Sequence, residues 1–353
     1  MQATSLTLGI VGVEAHLVLV EVDAGRGPAS FQLVGLAEAS VKEARVRVRA
    51  ALLAQGVDID EHVLTASMSP ADRRKGGSPF DVALAAGVLG ALGKIDHEAL
   101  SGTALLGELS LSGQLRGVRG VLPSVLAAKR HGLARAIVPR DNQAEVAALT
   151  GIEPLVADTM ADVVRYLQGK GELPRAQPGP SSAPAYADGI DLADVRGQHA
   201  ARRALEVAAA GHHNLVMMGP PGAGKTMLAR RLPGLLPPMT EEERLASTAV
   251  HSVAGLLGAG AGLLMERPFR APHHTVSVAA LVGGGTPIQK ECGFEDSADA
   301  MFAYLMASTG PKPDEAKIRA YCDGSVEHYH WLVEQGVPVT AGYYPEYWGE
   351  PTT

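Results

Sequence analysis

A glycine-rich segment, GPPGAGKT at residues 219–226, sets the narrowest limits on the fold of this chain. It fits the pattern G-x-x-x-x-G-K-[ST] of a phosphate-binding P-loop without departure. The apolar run at residues 214–218 has the length of a β-strand, and residues 227–232 have helical spacing. A strand, a glycine loop and a helix in this order are the context in which the motif binds phosphate. The segment therefore predicts a nucleotide-binding α/β domain, with a glycine turn and a chance Lys-Thr pair as the competing interpretation.

The residue types of this loop suit a nucleoside triphosphate bound with Mg²⁺. Glycines allow successive backbone amides to point at phosphate oxygens, and a helix N-terminus adds partial positive charge. The Lys225 amine is expected to reach the β- and γ-phosphates, and the Thr226 hydroxyl to contact Mg²⁺. The predicted nucleotide-binding residues of the loop are Gly219, Pro220, Pro221, Gly222, Ala223, Gly224, Lys225 and Thr226.

Length, charge and cysteine content limit the other classes of function. The chain has 353 residues, enough for two or three domains, and a formal net charge of −7. No overall basic field indicates nucleic acid, so the arginine pairs at 202–203 and 230–231 are candidate contacts or solvated helix faces. Cys292 and Cys322 are far apart and near no His/Cys ligand spacing. Neither a disulfide framework nor a zinc site is expected, in keeping with a reducing cytoplasm.

Membrane insertion and export are not expected from the sequence. The N-terminus has no basic region followed by an apolar one, as a signal peptide would. The longest apolar stretch, residues 248–265, contains a histidine, serine and several glycines, which argues against a membrane span. A cytoplasmic protein with no membrane partner is therefore predicted.

The order of patterns before the P-loop predicts an α/β domain over residues 1–170, a normal size for a domain. Alternation of polar and apolar residues over 3–33 indicates strands. Apolar spacing beyond them predicts helices at 38–53, 79–92, 121–131, 142–149 and 160–167, and strands at 62–68, 105–111, 136–139 and 152–156. Proline and small residues then predict a linker at 171–187, with an ordered loop as the alternative.

Three segments of this first domain carry a family resemblance: FQLVGL at 31–36, RRKGGSPFD at 73–81 and GELSLSGQLR at 107–116. With the P-loop, they resemble the magnesium-chelatase-like AAA+ ATPases of the YifB/ComM group over residues 1 to about 286. The resemblance implies an N-terminal domain similar to the proteolytic domain of Lon, with a ribosomal-S5-domain-2-like fold. It implies an AAA+ P-loop domain from residue 188, of which residues 188–286 are the N-terminal part.

The likeness to Lon raises the question of a Ser-Lys peptidase, in which a lysine amine activates a serine hydroxyl. Set against the Lon pattern, the serine position falls on Pro79 and the lysine position on Leu122. Neither side chain can act as nucleophile or base. Ser78 lies next door, but no lysine occupies the partner position. The domain is expected to be non-catalytic, with a peptidase as the alternative, and no catalytic residue is predicted.

The resemblance also assigns residues around the P-loop. In the family, the segment that opens the second domain helps to enclose adenine, which makes Val195 and Gln198 candidate contacts; ordinary packing at a helix start is the alternative. The segment RPFRAPHHTVS at 267–277 matches a family loop that faces the central pore or a neighbouring subunit. Arg270, His273 and His274 are therefore candidate contacts to DNA or to an adjacent protomer, or solvated residues of a rigid loop.

Beyond Thr286 the family pattern stops. An apolar strand ending in Asp-Glu, which would hold Mg²⁺ and orient the attacking water, does not appear there. The chain instead continues with GGGTPIQK at 283–290, AMFAYLM at 300–306 and GSVEHYHWLVEQGVP at 324–338. With these segments, residues 283–353 resemble an internal piece of FAD-dependent oxidoreductases of the fumarate-reductase/ketosteroid-dehydrogenase type. The G-x-G-x-x-G fingerprint that a flavin fold needs near its start is not found, so FAD is not expected. A chimera joined at residues 283–286 is the simplest hypothesis, with a genuine fusion as the alternative; the tail is expected to be mostly helical.

These patterns predict an ATP-binding protein with impaired hydrolysis. The resemblance implies a parent family of hexameric ATPase rings, some of which are DNA helicases or branch-migration motors in natural transformation. ATP and Mg²⁺ are the expected cofactors, and nucleotide, DNA and further copies of the chain the expected partners. A flavin oxidoreductase fragment and a non-enzymatic interaction module are the alternative functions.

Overall fold

The computed structural model describes residues 1–34, 39–70, 79–179, 190–217, 220, 222–258, 260–269, 299, 315–324 and 327. The chain divides into two compact units, Met1–Pro268 and Phe269–Thr353. The first unit contains both the predicted N-terminal domain and the P-loop. In the second, the described residues include helix α11 (Glu315–Asp323), in which Cys322 is buried.

A mixed seven-stranded sheet is the centre of the first unit. Its strands lie in the order β3-β4-β2-β1-β5-β8-β9. β2 pairs antiparallel with β1 and β4, and the remaining neighbours pair parallel. The strands are β1 (Gln2–Val11), β2 (Glu14–Arg26), β3 (Ser30–Val34), β4 (His62–Ser69), β5 (Thr103–Leu105), β8 (Arg135–Pro139) and β9 (Glu153–Ala157), and a separate pair joins β6 (Glu108–Leu109) to β7 (Leu115–Arg116).

Helices cover both faces of this sheet. They are α1 (Ala39–Ala54), α2 (Asp81–Ala91), α3 (His97–Leu100), α4 (Val121–Arg130), α5 (Gln143–Val146) and α6 (Met160–Leu167). Because successive side chains of a strand point to opposite faces, adjacent residues enter different cores. Ile137 packs with α1, α2 and α6, whereas Val138 packs with α4 and α5. The α/β class predicted for residues 1–170 is confirmed.

Helix α2 is buried along its whole length, as its apolar run predicts. Its first residue, Asp81, is fully buried and is held by Arg47 of α1 through bonds of 2.6 and 3.0 Å. The backbone amide of Leu109 donates a third bond to the same carboxylate. Burial raises the pKa of Asp81, and the Arg47 guanidinium opposes this effect. The pair thus ties α1, α2 and β6 together.

Two predicted elements are shorter than expected. The strand predicted at 105–111 is divided into β5 and β6, because Gly107 adopts φ +142° and its amide donates to the Pro79 carbonyl instead of a neighbouring strand. The helix predicted at 142–149 is reduced to a 3-10 turn at Arg140–Asn142 followed by α5.

The start of the predicted linker adds to the sheet edge. Val156 of β9 donates its amide to the Pro174 carbonyl at 2.8 Å, and Ala176 donates to the Pro154 carbonyl at 2.9 Å. Ala176 is buried in the core beneath α4. Residues 174–176 thus form the ordered loop that was the alternative to a linker, since a proline carbonyl can still accept a backbone bond. Residues 180–187 lie outside the described residues.

Among the described residues of the P-loop region, the regular elements are helices. After a 3-10 turn at Leu192–Asp194, its helices are α7 (His199–Gly211), α8 (Lys225–Ala229), α9 (Leu232–Leu235) and α10 (Glu241–Ala254). The helix predicted over 227–232 is interrupted because Pro233, at the second position of α9, has no amide hydrogen to continue the ladder.

The strand predicted at 214–218 is not formed by residues 214–217, and residue 218 lies outside the described residues. Leu215 and Val216 are exposed, and neither pairs with another described strand. A β-strand is stabilised by hydrogen bonds to a neighbouring strand, and an apolar run alone does not provide that neighbour. Within the described residues, no helix is long and apolar enough to cross a membrane.

Candidate nucleotide-binding site

Two glycines give the P-loop its shape. Gly222 and Gly224 have φ of +82° and +80°, a left-handed conformation that other residues adopt at a cost. A Cβ atom at Gly224 would also lie 3.1 Å from Nε2 of Gln198 and 3.2 Å from Cε of Met227, whereas Gly222 faces open space. Gly224 is thus required by its conformation and by its neighbours.

Lys225 and Thr226 occupy the first two positions of α8, directly after this turn. The Lys225 amine donates to the carbonyl of Pro220 at 2.8 Å, so its side chain reaches back across the loop. Thr226 is exposed. The loop thus brings together six of its eight predicted residues, Pro220 and 222–226; Gly219 and Pro221 lie outside the described residues.

Gln198 lies beside the loop in a strained conformation. Its φ is +48°, which is uncommon for a residue other than glycine and marks functional sites more often than chance. Its side-chain amide donates to the Ala223 carbonyl at 3.3 Å, which connects the start of α7 to the P-loop. The left-handed backbone could not be read from the sequence around Gln198.

Val195 lies in the small core beneath the loop. It is 3% exposed and packs with Leu192, Leu205 and Leu228. This packing is the alternative that the sequence left open for Val195. Its carbonyl accepts a bond of 3.2 Å from Arg202, so the turn before α7 is fixed to that helix.

Arg231 is a positioning residue whose role could not be read from the sequence. Its guanidinium donates to the Asp191 carbonyl at 2.8 Å and to the Met227 carbonyl at 2.9 Å. It thereby fixes the end of the P-loop helix to the segment that begins the domain. The D-x-x-D spacing of Asp191 and Asp194, which form a capping box, was the available signal that a structured turn begins there.

Helix α10, which follows the P-loop helices, begins with a capping box. The Thr240 hydroxyl accepts from the Glu243 amide at 3.2 Å, and the Glu243 carboxylate accepts from the Thr240 amide at 2.9 Å. Arg267 donates to both oxygens of Glu243 and to the Pro237 carbonyl. These bonds, that of the Thr240 amide above all, lower the pKa of Glu243.

The Lon-type positions are apolar and buried. The Leu122 side chain is 0% exposed, and Pro79 is buried with its carbonyl accepting from the Gly107 amide at 3.2 Å. No nucleophile or base stands at either position, as the non-catalytic interpretation requires.

Two adjacent histidines follow α7. His212 is the residue directly after the helix, with φ +50°, and the His213 ring packs over Gly211. Across the described part of the chain, no group of three His, Cys, Asp or Glu residues could hold a metal ion. Arg270, His273 and His274 lie outside the described residues, as does Cys292.

Comparison with known proteins gives two family matches. Residues 20–142 match the model for the subunit ChlI of Mg-chelatase, and residues 191–293 match that for magnesium chelatase, subunit ChlI. The two matches lie on either side of the predicted linker.

Individual relatives agree with these matches. An uncharacterized protein of Mycobacterium tuberculosis strain H37Rv is 48% identical over 286 residues, which are 80% of this chain and 56% of that protein. The competence protein ComM of Haemophilus influenzae is 43% identical over 279 residues, 78% of this chain and 54% of ComM. Lon protease 2 of Bacillus subtilis is 32% identical over 161 residues, 41% of this chain and 28% of the protease. The chain thus spans about half the length of the first two relatives, and two of its segments, residues 20–142 and 191–293, are similar to the ChlI subunit of magnesium chelatase.

Proposed function

We propose that this chain binds ATP with Mg²⁺ at the P-loop. The observation that supports this most is the left-handed pair Gly222 and Gly224 leading directly into Lys225 and Thr226 at the start of α8. A glycine turn that leads into a helix start is the arrangement in which backbone amides and a lysine amine can hold a polyphosphate.

Each residue of the loop has a distinct role in this proposal. On binding, the Lys225 amine exchanges the Pro220 carbonyl for β- and γ-phosphate oxygens, because a charge-assisted bond is stronger than one to a neutral carbonyl. The exposed Thr226 hydroxyl is placed to contact Mg²⁺, which neutralises charge on the phosphates. Gln198 borders the adenine from the start of α7, and Val195 supports that wall from the core.

We propose that hydrolysis by this chain alone is slow. The sequence after Thr286 contains no apolar strand ending in an acidic pair that would hold Mg²⁺ and orient water. The protein is therefore expected to bind Mg-ATP with measurable affinity but to release little phosphate.

A role as a DNA motor is the further part of this proposal, and the similarity to a protein named competence protein ComM supports it. In such a motor, several copies would assemble as a ring, and Arg270, His273 and His274 would contact DNA or the adjacent protomer. The non-catalytic Lon-like domain would then act as a binding or spacing module in the assembly.

Thermal unfolding with and without Mg-ATP tests the binding claim. A ligand that binds only the folded protein raises the unfolding midpoint, and the rise grows with the logarithm of ligand concentration once this exceeds the dissociation constant. Wild type should show a concentration-dependent rise with Mg-ATP, and Lys225→Ala should not. An unshifted midpoint in both proteins would favour the interaction-module alternative. Visible flavin absorbance in the purified protein would favour the oxidoreductase alternative.

A further inference from the structure

Helix α10, which follows the P-loop helices, packs on α4 of the Lon-like domain. Leu245, Ala249 and Leu263 lie against the apolar core that contains Leu122 and Val125. The Thr248 hydroxyl, fully buried, accepts the Leu264 amide at 2.9 Å and so fixes residues 263–264 to α10. The contact therefore joins two segments that the sequence assigns to different domains.

Ser252 of α10 makes two hydrogen bonds to the segments around α4 and α5. Its backbone carbonyl accepts the amide of Gly120, the residue that precedes α4, at 3.2 Å. Its hydroxyl donates to Oε2 of Glu145 at 2.6 Å. A single residue of α10 thus satisfies a donor of the α4 terminus and an acceptor of α5.

Glu145 is buried, with 4% of its surface exposed, and three groups donate to its carboxylate. The Leu122 amide donates to Oε2 at 3.3 Å, and the Asn142 side chain donates to Oε1 at 2.7 Å. The third is the Ser252 hydroxyl. Asn142 is itself oriented, because its amide group bonds the backbone of Val118 in both directions. Since all three partners are donors, the site is arranged for a carboxylate.

No room exists for a side chain at Gly120. A Cβ there would lie 1.9 Å from Cδ1 of Ile10 and 3.4 Å from Cγ2 of Val253. The space beside Gly120 is therefore filled mainly by Ile10 of β1, and Val253 of α10 borders it. Close approach at this point permits the Gly120 bond to Ser252.

We propose that the first turn of α4 is the docking site for α10, and that Glu145 and Ser252 lock the P-loop segment to the Lon-like domain as one cooperative unit. Leu122, which falls on the lysine position of the Lon pattern, is covered in this joint. The surface that would carry catalysis in a peptidase serves here as an attachment site. The joint forms from protein groups alone, so its test does not depend on nucleotide binding.

Hydrogen exchange of the full-length protein, followed by mass spectrometry, measures the strength of this joint. In Ser252→Ala, the buried carboxylate loses one donor, and amides of α10 and of residues 120–124 should exchange roughly tenfold faster. Ser247→Ala is the matched control, because the hydroxyl of that half-buried serine of α10 donates to the Met239 sulfur at 3.9 Å and makes no other hydrogen bond to the part of the chain that the structure describes. Its exchange should stay within about twofold of wild type. Unchanged protection of α10 in Ser252→Ala would overturn the proposal.

A second measurement needs no variant. In wild type, exchange at low urea concentrations should give α10 and residues 120–124 the same opening free energy, because one joint protects both. If α10 opens well before residues 120–124, the two segments are independent and the lock does not exist.

Discussion

Ser252 and Glu145 are 107 residues apart in the chain, and the Ser252 hydroxyl donates to the Glu145 carboxylate at 2.6 Å within a buried site. Burial raises the pKa of Glu145, and its hydrogen bonds from Ser252, Asn142 and Leu122 oppose the rise. The raised pKa makes the strength of the joint depend on pH.

The sign of that dependence follows from proton binding. Between the ordinary glutamate pKa, about 4.3, and the raised value, the folded state holds more protons at Glu145 than the unfolded state. The contribution of Glu145 to the free energy of unfolding therefore falls as pH rises through this window and is constant above it. Urea unfolding of wild type and Glu145→Gln at several pH values isolates this contribution. The wild type should lose stability relative to the variant as pH rises through the window, and a difference independent of pH would contradict the assignment.

Gly120→Ala should be strongly destabilising. The substitution forces a Cβ against Ile10 at φ +73°, so backbone strain and a steric clash add to about 2–5 kcal/mol. Gly132→Ala is the control, because Gly132 has φ +76° with nothing within 4 Å of its Cβ position. In urea unfolding, Gly132→Ala should lower the free energy of unfolding by the backbone strain alone, about 1–2 kcal/mol. Equal costs at the two sites would show that the Ile10 side chain moves aside without a penalty.

Arg47→Ala should destabilise the N-terminal α/β fold by about 3–5 kcal/mol, because it leaves the Asp81 carboxylate buried without its counterion. The ion pair between Arg140 and Asp158 provides the comparison, since both side chains are about half exposed. Arg140→Ala should cost no more than about 1 kcal/mol. Chemical denaturation of both variants measures the difference, and a small effect of Arg47→Ala would mean that water reaches Asp81.

Thr226→Val should remove the response of nucleotide binding to Mg²⁺. The hydroxyl of this exposed residue is the group proposed to contact the ion, and valine has nearly the same shape without the oxygen. ATP affinity of the wild type should increase on adding Mg²⁺, while that of the variant should change little. A variant that keeps the full Mg²⁺ response would place the ion elsewhere.

The sheet and its helices could be predicted because their signals are local. The apolar run of α2 and the alternation along β1 depend only on neighbouring residues, and both predictions are confirmed. The strand at 214–218 fails on residues 214–217 because pairing depends on distant residues, and Ala176 enters the core through bonds to β9 that its composition does not reveal.

The candidate site divides in the same way. The glycine conformations at Gly222 and Gly224 follow from the motif, whereas the contact of Gln198 with Ala223 depends on a left-handed turn at a residue that rarely adopts one. The joint at Glu145 could not be predicted from a sequence pattern, because the groups that donate to its carboxylate come from separate elements. Their pairing is evident only when the elements are packed together.

Calorimetric titration of Mg-ATP into the full-length protein tests the nucleotide claim most directly. Lys225→Ala removes the amine that spans the loop, and Lys170→Ala removes an exposed lysine remote in sequence from the P-loop as a control. Wild type and Lys170→Ala should bind with the same dissociation constant, and Lys225→Ala should bind about 10- to 100-fold more weakly, the value of one charge-assisted bond to phosphate. Binding that is equal in all three proteins, or undetectable in wild type, would contradict the P-loop as a working nucleotide site.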